Sequence, residues 1–211
     1  LLGGALIQMA TGSDEATAAI QVYRSTSAVL DRVTDAVGDP LSVSPQSSYS
    51  TTLGDTTREN LITGGTMNDA GAWALGAGWV IAGGVASHTA GTIDGISQSF
   101  AAVTGKFYRI GYVINGQISG SLTPRLTGGS DRTGTAALAD GIYSDRIQAV
   151  TGNNTIEFLA SSDFDGTLDD VVAYLETDAC LAQGTHYVWL EPQNADGVPG
   201  PIAGPFEITI I

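Results

Sequence analysis

The groups best equipped for chemistry in this 211-residue chain are aromatic rings and carboxylates; it has eight Lys and Arg, two His and one Cys. Flat apolar faces stack on the C–H surfaces of a pyranose ring, and a few polar groups then engage its hydroxyls. Trp73, Tyr108, Tyr112, Tyr143 and Arg146 are the ligand-binding candidates on these grounds. Tyr108 and Tyr112 stand four apart in one strand-like run and so share a face, which is either core or a binding sheet. Trp73, in a Gly/Ala loop, is open to the same two readings, whereas Trp79 beside Val80 and Ile81 reads as core.

Catalysis does not emerge. A glycosidase holds two carboxylates apart across a cleft, but Asp163, Asp165, Asp169 and Asp170 crowd into one Gly-containing stretch. A serine triad needs a histidine, and His88 and His186 both read as strand-surface residues. Two histidines and Cys180 are too few and too dispersed for zinc, and Cys180 reads as a small buried hydrophobe. The Gly-rich run 128–134 lacks the lysine and the strand-to-helix setting of a phosphate loop. A net charge of −14 repels a phosphate backbone, which argues against nucleic acid and against an anionic membrane surface. Nothing in the sequence is apolar enough for membrane insertion.

The elements that must position these groups are strands. Only 14% of the residues are charged and 28 are Gly, a profile of short strands and many turns. Residues 5–10 and 19–24 read as strands, 28–37 as a short helix or an irregular edge, and 41–53 as β with a break at Pro45. From Asn60 to Tyr174 the chain turns Gly-rich. Strand-sized pieces recur there at 79–82, 85–89, 96–102, 107–114, 120–126, 142–149, 155–160 and 168–175, the spacing of a sandwich or jelly roll. After Glu176 two more strands are expected, 185–191 and 205–210.

Two resemblances attach to these segments. The run Leu181-Ala182-Gln183-Gly184-Thr185-His186-Tyr187, followed by Asn194-Ala195-Asp196-Gly197, is similar to the last two strands of a fibronectin type III domain. The resemblance implies that Tyr187 is a tyrosine corner, its hydroxyl tying down nearby backbone. Residues 1–59 and 175–211 together have the length such a domain needs.

The middle resembles carbohydrate-binding-module jelly rolls. Asn60-Leu61-Ile62-Thr63-Gly64-Gly65-Thr66-Met67-Asn68, the pair Gly78-Trp79, Gly83-Gly84-Val85-Ala86, Gly105-Lys106-Phe107-Tyr108 and Leu168-Asp169-Asp170-Val171 follow one another as in that group. The expected fold is therefore all-β: a jelly-roll β-sandwich (60–174) inserted into a fibronectin type III/Ig-like β-sandwich (1–59 and 175–211). In the resembled modules a structural Ca²⁺ is often held by opening and closing residues, which implies Asn68 and Asp170 as metal ligands here. Thr66, Met67 and Asn68 stand where Asp, Phe and Glu are usual, so one carboxylate is missing. No cofactor is otherwise required.

Together the two parts resemble the receptor-facing domains of phage-like tail tips or fibres, including those of gene-transfer particles. That implies an extracellular location on a virion tail, with bacterial surface polysaccharide and other tail proteins of the particle as partners. A chain opening on Leu1-Leu2 without an initiator Met reads as a piece of a larger protein. Three functions follow as expectations: a non-enzymatic receptor-binding module, a purely structural spacer, or an ancillary module of a glycan-degrading enzyme. Burial of Trp73, Tyr108 and Tyr112 favours the spacer over the receptor binder.

Overall fold

Residues 155–160, TIEFLA, bury Ile156, Phe158 and Ala160 and leave the residues between them half-covered. This is the period of two that puts alternate side chains on opposite faces of a strand. Repeated along the chain, it produces the architecture of the computed structural model, which describes all 211 residues. Four strands come first, β1 (Gly4–Ala10), β2 (Ala19–Ser25), β3 (Leu41–Ser42) and β4 (Ser48–Gly54). Ten follow: β5 (Ala74–Leu75), β6 (Trp79–Ala82), β7 (Val85–His88), β8 (Asp94–Ser99), β9 (Phe107–Ser119), β10 (Leu122–Thr127), β11 (Arg132–Thr133), β12 (Gly141–Gln148), β13 (Thr155–Ala160) and β14 (Asp165–Leu175). The last two are β15 (Gly184–Gln193) and β16 (Ala203–Ile210). A single 3₁₀ turn, Ala70–Ala72, is the only helical element. The chain divides into two compact units, Leu1–Thr57 with Thr177–Ile211, and Arg58–Glu176.

The unit of residues 58–176 is a sandwich of two five-stranded antiparallel sheets, β11-β10-β13-β8-β5 and β12-β9-β14-β7-β6. From β7 to β14 successive strands cross from one sheet to the other at every step except β10 to β11, the wrap of a jelly roll. Its core is large and aromatic, with Trp73, Trp79, Phe100, Tyr108, Tyr112, Phe158 and Phe164 among its members. The opening segment is laced to β14. The Leu61 N–H donates to the Ala173 carbonyl at 2.7 Å and the Asn60 side-chain oxygen accepts from the Ala173 N–H at 3.0 Å. Farther along, Val171 N–H bonds the Gly65 carbonyl at 2.9 Å. A Cβ on Gly65 would stand 2.0 Å from the Val171 carbonyl oxygen, so only glycine permits this approach.

The other unit packs the two-stranded sheet β1-β4 against the four-stranded sheet β16-β15-β2-β3. β15 pairs with β2 from Tyr187–Ser25 to Gln193–Ala19, which ties the C-terminal strands to the first 57 residues. The core is thin: Val22, Leu53 and Val188, ringed by Ile7, Met9, Leu181, Leu190 and Ile208. Of the two readings of residues 28–37, a short helix or an irregular edge, the structure has the irregular edge. It runs beside β2, where Ala36 bridges Tyr23 and the Asp35 carbonyl accepts from Arg24 N–H at 2.8 Å.

On the outward-facing side of β2 and β15, Tyr23, Trp189 and Glu191 are buried. Glu191 is satisfied there by the Tyr23 hydroxyl at 2.6 Å and Arg32 Nε at 2.7 Å. Burial, then the bond to Glu191, pushes the Tyr23 hydroxyl up to about 12. For Glu191 burial acts upward, but the bonds from Arg32 and Tyr23 outweigh it and hold the carboxyl below its ordinary value.

The corner expected of Tyr187 is made by its neighbour. Tyr187 is half-buried beside Trp189, with ring centroids 6.3 Å apart, and no hydrogen bond ties its hydroxyl to the backbone. His186 is fully buried, its Nε2 2.8 Å from the Ala182 carbonyl and its Nδ1 3.1 Å from Arg24 Nη1. The expectation that His186 lies on the strand surface is corrected accordingly: it points inward with Val188, and Tyr187 takes the outer face.

Candidate functional site

Trp73 follows the 3₁₀ turn capped by Asp69, whose Oδ1 accepts from Gly71 N–H at 3.0 Å. The turn swings the indole inward, so that Nε1 donates to the Gly64 carbonyl at 3.0 Å and the ring tilts onto Phe158 at 6.4 Å. Tyr108 and Tyr112 do share a face of β9, and it is the core face. The Tyr108 hydroxyl accepts from Val103 N–H at 2.8 Å, and its ring meets Phe100 edge-on at 4.9 Å. Tyr112 lies against Tyr143 at 5.3 Å and Phe158 at 5.1 Å. Its hydroxyl is buried near the Asp145 carboxylate but in bonding geometry with no group. Burial first, then Asp145, drives its pKa far upward.

Trp73, Tyr108 and Tyr112 are 5%, 1% and 1% exposed, which leaves no ring face on which a ligand could stack. Their candidacy as ligand-binding residues is corrected to a place in the core. Tyr143 is half-buried at the margin of that cluster, its hydroxyl bonded to the Ala139 carbonyl at 2.6 Å. Arg146 lies on the opposite, outer face of the same sheet, so the five candidates do not converge.

Arg146 belongs to a cluster of its own. Its guanidinium stands 3.5 Å over the Phe107 ring, and its Nε donates to Glu176 Oε2 at 2.6 Å. Arg109, its cross-strand neighbour on β9, donates to the same oxygen at 2.8 Å. Burial alone would raise the Glu176 pKa; the two arginines prevail and lower it. Sequence reasoning named only Arg146 of this cluster, because Glu176 lies just past the last strand of the jelly roll, β14 (Asp165–Leu175).

The outer face of the other sheet is polar and partly open. In strand register, Thr133, Arg125, Glu157, Ser97 and Ala74 form one row across it. Glu157 sits at its centre, with Oε2 2.5 Å from Arg125 Nε, and Arg125 Nη1 lies 3.0 Å from Asp131 Oδ2. Small neighbours leave this pair accessible to a ligand rich in hydroxyls, with no aromatic platform beside it. The signal in the sequence was Arg125 and Glu157 at outward positions of their strands, where short polar residues otherwise prevail.

The metal candidates do not assemble a cage. Asn68 uses its side-chain N–H on Thr66 Oγ1 at 3.2 Å. Asp170 is exposed at a bulge of β14, with φ +48°. Between them they bring one carboxylate, and nowhere do three His, Cys, Asp or Glu side chains gather. Ca²⁺ asks for six to eight oxygens, and these residues do not fit that demand. His88 is buried, not a surface residue as the sequence suggested. Its Nδ1 lies 2.7 Å from the Phe164 carbonyl and its ring 5.0 Å from Trp79. Neither histidine bonds a serine or cysteine, and Cys180 Sγ accepts from Thr177 N–H at 3.3 Å.

No protein-family model matches the chain, and no curated protein matches it.

Proposed function

We propose that the chain is a non-enzymatic structural module of a larger extracellular assembly, of the phage-like tail-tip or fibre kind. In it the fibronectin-like sandwich acts as carrier and the jelly roll as a rigid inserted body. The observation that carries this reading is the burial of Trp73, Tyr108 and Tyr112: rings that a sugar-binding face would present are committed to the core. The order of the jelly-roll and fibronectin-like motifs is what favours a tail protein and, as partners, other proteins of the same particle.

A second reading, recognition of bacterial surface polysaccharide, is favoured by the polar row around Arg125, Glu157 and Asp131. Titrating the whole chain against host surface polysaccharides separates the two. A structural module gives no saturable binding. Saturable binding that Arg125→Ala abolishes, with the fold intact, would transfer the function to that polar face.

A further inference from the structure

The sheet β1-β4 has only two strands, so each has one side without a partner. Thr11 N–H bonds the Ser47 carbonyl and Asp55 N–H the Gly3 carbonyl, and these bonds frame an unbroken antiparallel ladder. Bonded pairs alternate with non-bonded ones along such a ladder, so Ala5, Ile7 and Met9 direct their N–H and C=O groups toward β4. Leu6, Gln8 and Ala10 direct theirs to the empty side. Their side chains are exposed too, and Leu6 keeps 54% of its surface open.

Edges of this kind are ordinarily guarded by lysine, proline or a bulge. Residues 1–13 contain no proline and no charged side chain, and the β1 register has no bulge. The free side of β4 presents Ser48, Ser50 and Thr52 instead, which gain less from being covered. In a chain of net charge −14 most surfaces repel a second copy of themselves, and this neutral edge does not.

We propose that β1 is a self-association edge that pairs antiparallel with β1 of a second copy about a two-fold axis at Ile7. In that register Leu6 faces Gln8 of the second copy and Gln8 faces its Leu6. Each of these pairs exchanges both backbone bonds through the groups now unpaired. The contact is isologous and closes as a dimer, with the two β1-β4 sheets merged into one. Leu6 is covered by the opposing strand, and the two Ile7 side chains meet across the axis.

Sedimentation equilibrium of the whole chain, from micromolar to near-millimolar concentration, tests the pairing. A monomer–dimer equilibrium is expected. Gln8→Pro removes an outward N–H that β4 does not use, and Leu6→Lys puts a charge where the opposing strand, at Gln8 of the second copy, would cover an apolar side chain. Each should weaken association by ~10-fold or more while the circular dichroism spectrum stays unchanged. In the parent chain, amide exchange at Leu6 and Gln8 should slow as concentration rises. A chain monomeric throughout, or a dimer that both variants leave intact, overturns the proposal.

Discussion

Tyr112 carries its ring between Tyr143 and Phe158, and Trp73 packs on the same phenylalanine. Residues so placed act on stability rather than on a ligand. Trp73→Ala and Tyr112→Ala should each lower the unfolding free energy by about 3–5 kcal/mol, the usual result of emptying a large aromatic site. Urea unfolding followed by far-UV circular dichroism measures this, and changes below about 1 kcal/mol would mean the rings are not core. The sequence left these positions ambiguous for a physical reason: a hydrophobic core and a sugar platform draw on the same residue types. His186 was illegible for a different one. Its inward direction is set by β15 pairing with β2, and that pairing joins segments more than 150 residues apart.

Strand positions were more legible than side-chain roles. Of the eight middle strands read from alternation and turn spacing, each has a counterpart among β6 to β10 and β12 to β14. The two missed, β5 and β11, are two residues long and show no period. Where elements meet, the consequences can be measured. Glu176, just past β14, joins Arg109 on β9 to Arg146 on β12. Its folded pKa lies below the ordinary 4.5, so its contribution is complete above that value and is lost as pH falls through the lower folded one. Glu176→Gln should therefore cost about 1.5–3 kcal/mol at pH 7, and its deficit should shrink as pH is lowered. Unfolding free energies measured from pH 7 to pH 3 test this, and a deficit constant with pH would refute the assignment. Gly65→Ala at the seam with β14 should cost about 1–3 kcal/mol through overpacking, whereas an alanine at the open Gly12, where the backbone is not left-handed, meets no atom.

At the scale of the molecule the two units are unequal. The jelly roll gathers an aromatic core from both of its sheets, while the sandwich closes over Val22, Leu53 and Val188. Buried apolar surface is the main favourable contribution to folding, so the sandwich should yield first. Chains of more than one unit depart from all-or-none unfolding. Calorimetry of the whole chain should accordingly show two transitions, the lower one from residues 1–57 and 177–211. Val188→Ala should move only the lower transition, and Ile110→Ala only the upper. Because the seam between residues 60–65 and β14 is internal to the jelly roll, an excised 58–176 fragment should fold and keep the upper transition. A single transition moved equally by both substitutions would show instead that the thin-cored sandwich melts only together with the jelly roll it carries.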